Sequence, residues 1–406
     1  MTGDQPRRLA EPFATSVRRG NPLLWATGSD ADRTALLGWG ERFRATARGP
    51  LRFARLAAAF EDFLVTLPTD KTAPPVRAFI SATFAADSLS ESILIVPALL
   101  GSWRDGTLTV TPNGSGPLAV SLPEPSEPYE FSELELVPGS LTRERFRRAV
   151  AAAVARIEAG EVEKVVLARD LEAITPDPID IPAVLARLQE ANPTSWTFHV
   201  DGLIGASPEM LIELRGPTVR SQALAGSAPV TGDPDVDDAT AARLAASSKD
   251  HAEHAYAADS VIERLAEVAD VRAAQTTVLR LPSIMHLATE ISGTLREPRS
   301  ALELAGLVHP SAAVCGTPTD VATRVIAELE GFDRGRYAGP VGWVDAAGDG
   351  QFVIALRCGQ VNADATSVRL LAGGGIVAGS VPSDELAETA RKFLPMYEAL
   401  SPVARP

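Results

Sequence analysis

Residues 337 to 361, YAGPVGWVDAAGDGQFVIALRCGQV, set two strand-forming runs on either side of a short turn rich in Ala, Gly and Asp, a pattern that reads as a hairpin. The same pattern appears upstream: ESILIVPALLGSWRDGTLTVT turns at Asp105-Gly106, VRAFISATF is a further strand, and more strands are expected across 196–225 and 271–296. Helical periodicity separates these groups. Phe53, Leu56, Phe60 and Leu64 share one face, LTRERFRRAVAAAVARIEAG ends at Gly160, and further helices are expected at 181–191, about 237–269, between 299 and 330, and at the C-terminus. Hairpins followed by helices, without strict βαβ alternation, predict an α+β chain with mainly antiparallel sheets. Residues 1 to about 35 read as polar and loop-like. A Pro-, Gly-, Ser- and Glu-rich stretch at 112–140 reads as a long connection, so 1–140 is taken as an N-terminal region of the same α/β unit and 141–406 as the catalytic region. The chain shows no repeat short enough for a solenoid.

The balance of 38 Lys+Arg against 52 Asp+Glu leaves a net charge of −14, which argues against nucleic acid or an anionic membrane as partner. An anionic ligand would have to be met by local cations. Cys315 and Cys358 are the chain's 2 cysteines and form no CxxC pair, which points to a reducing cytoplasm. The N-terminal MTGDQPRRLAEPFATSVRRG has no apolar core after its basic residues, and no long uncharged apolar run follows, so a soluble, unexported protein is expected.

GxGxxG, GxxxxGK[ST], GxSxG and HExxH are absent, which removes the usual marks of nucleotide, serine-hydrolase and zincin chemistry. His251 and His254 lie three apart on an expected helix, but with 5 histidines in the chain they read as structural. More telling is AGGGIVAGSVPSDELAETARKF, where a glycine run of the kind that cradles anions leads into a helix bearing carboxylates. Glu385, Glu388 and Lys392 fall on one face of that helix, and taken alone they read as a solvated stripe. A second helix repeats the spacing with Asp250 and Glu253. Two carboxylates about 4 Å apart repel by ~4 kcal/mol at an effective dielectric of about 20, whereas two such pairs facing each other suit a hard divalent cation such as Mg²⁺.

In the strand EKVVLARD, Lys164 shares a face with Val166 and Ala168, so its amine is expected among apolar neighbours. Glu209 follows Ser207-Pro208 at a turn or strand start. Read alone, the first is an exposed strand-end lysine or a base, and the second a surface acid or a proton donor.

The segments KVVLARD, GASPEMLIEL, ALAGSAPVTGD, SSKDHAEH, IMHLATEISGTL, HPSAAVCGTPTDVA, FDRGRYAGPVGWVD, FVIALRCG and AGGGIVAGSVPSDELAETARKF resemble, in order, the chorismate-utilising enzymes, and most closely the isochorismate synthases. The resemblance covers about residues 145–400. It implies two facing, mainly antiparallel sheets flanked by helices, an active site in the central cleft and a requirement for Mg²⁺. Lys164 would be the base that activates water for attack at C2 of chorismate, and Glu209 the acid that protonates the departing C4 hydroxyl. Glu253 and Glu388 would hold the metal, with Asp250 and Glu385 supporting its waters. Tyr337, Arg357, Lys392 and the backbone of Gly373 to Gly375 would take the substrate's carboxylates. Gly226, Ser227, His286 and Thr289 would complete the pocket. Because contact between Lys164 and Glu209 would favour the wrong protonation state of each, the two are expected on opposite faces of the substrate.

Among relatives, anthranilate synthases lack the lysine that stands here as Lys164, and aminodeoxychorismate synthases carry a lysine where this chain has Ala225. Salicylate synthases share Lys164 and go on to eliminate pyruvate, and a catalytically silent homologue is the alternative of another class. The resemblance implies no amidotransferase subunit, and a monomer is expected. Two departures stand out: Ala228 and Val230 replace arginines that usually follow LAGS, and Arg336 replaces a common Trp, a change expected to lie at the surface.

Overall fold

The computed structural model of the chain describes residues 7–28, 32–68, 75–115, 120–127, 129–281 and 284–402. Two large sheets organise it, and their strand pairs are antiparallel throughout the described residues. The 12-stranded sheet runs, in spatial order, through Arg7–Ala10, Thr107–Pro112, Leu99–Arg104, Thr34–Trp39, Leu23–Thr27, Trp196–Val200, Leu203–Ser207, Cys358–Val361, Ser367–Ile376, Lys164–Ile174 and Gly316–Thr317, with Glu135–Pro138 paired to Lys164–Ile174 off that path. The 10-stranded sheet runs through Ala269–Ala273, Ile284–Leu295, Thr218–Pro229, Met210–Arg215, Gly350–Ile354, Pro340–Asp345, Arg77–Ser81, Ser92–Val96 and Phe43–Ala47, with Thr277–Arg280 paired to Ile284–Leu295. The 337–361 hairpin is present as Pro340–Asp345 against Gly350–Ile354, and its continuation Cys358–Val361 crosses into the other sheet.

The main core draws on both sheets and on helices beside them: Phe79, Leu94, Phe198, Leu167 and Phe352 are all fully or almost fully buried in it. A second core covers the opposite face of the 12-stranded sheet, where Ile181–Ala191 and Pro382–Leu400 pack over Leu24, Leu37, Ile204 and Leu370. That double coverage corrects the loop-like reading of residues 1–35, which contain the strands Arg7–Ala10 and Leu23–Thr27, the helix Phe13–Val17 and the start of Thr34–Trp39. In the short run Leu23-Leu24-Trp25-Ala26, Leu23 and Trp25 enter one core while Leu24 and Ala26 enter the other. A strand buried on both faces reads as a brief apolar run instead of an alternation, so its period is lost in the surrounding polar sequence. Residues 1–6 and 29–31 of that stretch, and 116–119 and 128 of the expected connection, lie outside the described residues.

Arg336 also departs from expectation. It is 8 % exposed and donates to the carbonyls of Val200 (3.2 Å) and Asp201 (2.7 Å) and to Gln360 Oε1 (2.7 Å), holding the segment that leads into Pro340–Asp345 against the 12-stranded sheet. A planar guanidinium can occupy the volume of a ring and be satisfied by carbonyls, which is why a buried position accepts it.

Close by, Arg334 and Glu330 form a fully buried pair at 2.6 Å at the end of the helix Thr319–Glu330. Glu330 also accepts the N–H of Ala168 at 2.7 Å, and Arg334 donates to the carbonyls of Val166 and Val314. The pair thereby fixes the strand that begins at Lys164. Glu330→Ala leaves a buried guanidinium without its partner and is expected to lower unfolding free energy by about 3 kcal/mol or more in chemical denaturation. A loss below about 1 kcal/mol, the range of exposed pairs, would remove this pair from the account.

Candidate active site

The cleft is assembled where the strands Lys164–Ile174 and Ser367–Ile376 of one sheet meet the strand Thr218–Pro229 of the other. Lys164 opens its strand, is 1 % exposed, and turns its amine toward Glu253 Oε1 at 3.4 Å. Glu253 lies on Ser248–Ala266, whose first turn is capped by the Ser247 hydroxyl accepting from the Asp250 N–H. Glu209 comes from the link between Leu203–Ser207 and Met210–Arg215. Its N–H donates to Ser207 Oγ at 3.3 Å, and Ser207 in turn donates to Ile354 O at 2.6 Å, so the backbone that carries the acid is fixed. Burial pushes the Glu209 carboxyl up to about 7, against the opposing pull of the Leu224 N–H and the charges of Lys164, Arg357 and Lys392. Lys164 and Glu209 therefore line one cleft from separate elements, and the close partner of Lys164 is Glu253.

A bulge between Ala225 and Ser227 interrupts the long antiparallel pairing of Thr218–Pro229 with Ile284–Leu295. Gly226 sits at that bulge with φ +71°, and a Cβ there would meet Asp250 Cβ at 3.1 Å. The irregularity re-aims Ser227, whose hydroxyl lies 3.3 Å from His286 Nδ1. Burial lowers the imidazole of His286 to about 3, so it enters the cleft neutral. Arg357 holds a left-handed backbone (φ +49°) although it is not glycine, a strain that concentrates at functional positions. Its guanidinium and the phenol of Tyr337 both line the cleft, each shifted toward its neutral form by burial.

The glycine run is part of the strand Ser367–Ile376 and not a turn: Gly373, Gly374 and Gly375 pair with Ala168, Leu167 and Val166. Their bare Cα atoms make room for acids. A Cβ on Gly375 would meet Glu253 Oε1 at 2.5 Å and Lys164 Cε at 3.0 Å, and one on Gly374 would meet Glu385 Oε2 at 3.3 Å and Glu388 Oε1 at 3.4 Å. Lys392 reaches back to Gly373 O at 2.8 Å and to Glu388 Oε1 at 2.6 Å.

All four expected metal-binding acids face an antechamber of ≈ 320 Å³ that shares Ser227, Glu253, Gly375 and Glu388 with the inner cleft. The donor set is all oxygen, as a hard cation prefers. Burial and then the charges of Glu388 and Glu253 push the Glu385 carboxyl up to about 7, the effect expected of acids gathered without sufficient countercharge. For Glu388 burial works upward, but the adjoining Lys392 outweighs it and holds the carboxyl below its ordinary value. These residues fit Mg²⁺ in donor type. Among the described residues no three acidic, imidazole or thiol groups already converge on one ion position, and Glu253 and Glu388 are each paired with a lysine.

Of the remaining expected residues, Thr289 is not in the cleft lining. Its hydroxyl is 2.7 Å from His254 Nε2 and 2.9 Å from Thr276 Oγ1, behind the cleft, so it braces the helix that carries Glu253. His254 is buried in that contact, as its structural reading implied, and His251 contacts Ala245 O at 2.9 Å. Sequence reasoning missed Arg334, Ala313 and Val314, which form part of the wall. Arg334 stands three residues before Tyr337 in the segment FDRGRYAGPVGWVD, but nothing in its local pattern announced burial.

Residues 121–401 match the family described as chorismate binding enzyme. The chain belongs to that family. Against the isochorismate synthase DhbC of Bacillus subtilis, this chorismate-binding enzyme is 41 % identical over 275 residues, covering 63 % of this chain and 68 % of the relative. Against the isochorismate synthase EntC of Escherichia coli K12, it is 39 % identical over 282 residues, covering 67 % and 70 %. Among solved structures, the DhbC protein of Bacillus anthracis superposes with a TM-score of 0.78 at 30 % identity, covering 95 % of this chain and 97 % of the other. MenF of E. coli shares the fold with a TM-score of 0.79 at 22 % identity, covering 98 % and 95 %. Within the described residues, no helix is long and apolar enough to cross a membrane.

Proposed function

We propose that this chorismate-binding enzyme is an isochorismate synthase: Mg²⁺-dependent, it adds water at C2 of chorismate and expels the C4 hydroxyl. The observation that carries the reading is the presence in one cleft of two buried proton carriers with separate partners, Lys164 beside Glu253 and Glu209 beneath the Leu224 N–H. The high identity to two isochorismate synthases supports it.

In this reading Lys164, whose amine lies 3.4 Å from Glu253 Oε1, is the base that takes a proton from water as its oxygen bonds to C2. The ring double bonds shift, the C4–O bond breaks, and Glu209 delivers its proton so that the hydroxyl leaves as water. The lysine ends protonated and the glutamate ionised, and one proton exchanged with solvent resets both. Arg357, Tyr337 and Lys392 hold the substrate's carboxylates, and His286, neutral and beside Ser227, faces the ring. Glu253 and Glu388 would ligate Mg²⁺, with Asp250 and Glu385 around its waters; bound there, the ion would offset the gathered negative charge and hold one substrate carboxylate.

Purified protein mixed with chorismate and Mg²⁺ and followed by NMR tests this: isochorismate should accumulate without pyruvate, and EDTA should stop the reaction. Salicylate with pyruvate, or chorismate left intact, would overturn it. Glu388→Gln is expected to raise the Mg²⁺ concentration for half-maximal rate by about 10- to 100-fold. Ser383→Ala, on the exposed start of the same helix, should leave it near wild type, and equal effects of the two changes would remove Glu388 from the metal.

A further inference from the structure

Behind the cleft lies a second cavity of ≈ 350 Å³, and Arg334 and Tyr337 line both. Its wall includes four arginines, Arg48, Arg334, Arg336 and Arg369, against one acidic residue, Glu91. Acids at their edges fix three of them: Glu330 holds Arg334 at 2.6 Å, Asp170 holds Arg369 at 2.9 Å, and Asp201 lies 3.5 Å from Arg336. That leaves donors over. Arg336 uses its terminal nitrogens on Val200, Asp201 and Gln360, and its Nε has no protein partner among the described residues. Arg48 makes a single loose pair with Glu91 at 3.6 Å. Counting Glu91, the four acids match the four arginines in charge, so the wall offers an anion unused N–H donors and no surplus of positive charge, which suits a small oxyanion and not a polyphosphate.

From this wall we infer a second ligand site, one that binds a small oxyanion, a carboxylate or a phosphate group, through Arg336, Arg369 and Arg48. Arginine is suited to it because a pre-oriented planar fork meets two oxygens of such a group at once. Arg336 stands where the resemblance leads one to expect Trp, so this charge belongs to the present chain. Burial weakens the hold of Arg336 on its proton, the condition of a cation that gains from an added anion. The bound anion would lie one wall away from the cleft, against Tyr337 and against Cys358, which adjoins Arg357.

Calorimetric titration of the full chain with inorganic phosphate and, separately, with malonate tests the site without reference to the reaction. One equivalent of at least one anion should bind. Arg48→Gln and Arg336→Gln should weaken it about tenfold or more, while Lys392→Ala in the cleft leaves it in place. Arg48 is exposed, so its replacement preserves the fold even if the buried Arg336→Gln does not. A response to phosphate alone identifies a phosphate site, and a response to malonate alone a carboxylate site. No binding of either anion, binding that Arg48→Gln leaves untouched, or binding abolished by Lys392→Ala would overturn the inference.

Discussion

Lys164→Ala is expected to reduce kcat by roughly 10³-fold, the range of a lost general base, equivalent to about 4 kcal/mol of transition-state stabilisation. The residue is 1 % exposed, and its amine lies 3.4 Å from Glu253 Oε1, with its Cε against the bare face of Gly375. Removing it takes away the lysine that competes for Glu253. Mg²⁺ binding measured by calorimetry should therefore be retained while turnover collapses. Near-normal turnover would remove Lys164 from the chemistry, whereas loss of metal binding together with turnover would mean that the lysine only shapes the acid cluster. Lys164→Met, which restores the buried volume without the amine, should behave like Lys164→Ala and guards against a trivial packing defect.

The second large effect is expected at Glu209. The proposed mechanism needs its carboxyl protonated in the free enzyme, and burial has pushed it up to about 7. A raised carboxyl is protonated below that value and ionises above it. The kcat/KM of the wild type should therefore hold up to about pH 7 and then fall by about tenfold per unit as pH rises. Glu209→Gln keeps the shape and polarity of the group but cannot donate this proton; its kcat should fall by roughly 10²- to 10⁴-fold and its alkaline limb should disappear. An unchanged alkaline limb in Glu209→Gln would assign that titration to another group.

Much of this site could be anticipated from the chain because its parts are local patterns. The i, i+3 acids of SSKDHAEH and of DELAETARK need only a helix to share a face, and Lys164 needs only a strand to join Val166 and Ala168. What failed depended on partners distant in sequence. Leu23-Leu24-Trp25-Ala26 is a strand because two cores, both built mainly from later residues, cover its faces. Arg336 is buried because Val200, Asp201 and Gln360 supply acceptors from other segments. Thr289 faces away from the cleft because strand parity and the neighbouring His254 decide which side it serves. The glycine run was legible as a close-approach site but not as a strand. Its purpose, leaving space for Glu253, Glu385 and Glu388, emerges only when two helices are laid over it.

The central claim is that water enters at C2 as the C4 hydroxyl leaves, and running the reaction in oxygen-18 water tests it most directly. Mass spectrometry and carbon NMR of the product should show isochorismate two mass units heavier, with the heavy oxygen on C2 and no pyruvate released. Isochorismate formed without label would mean that the substrate's own hydroxyl migrates, leaving Lys164 no water to activate, and would contradict the account.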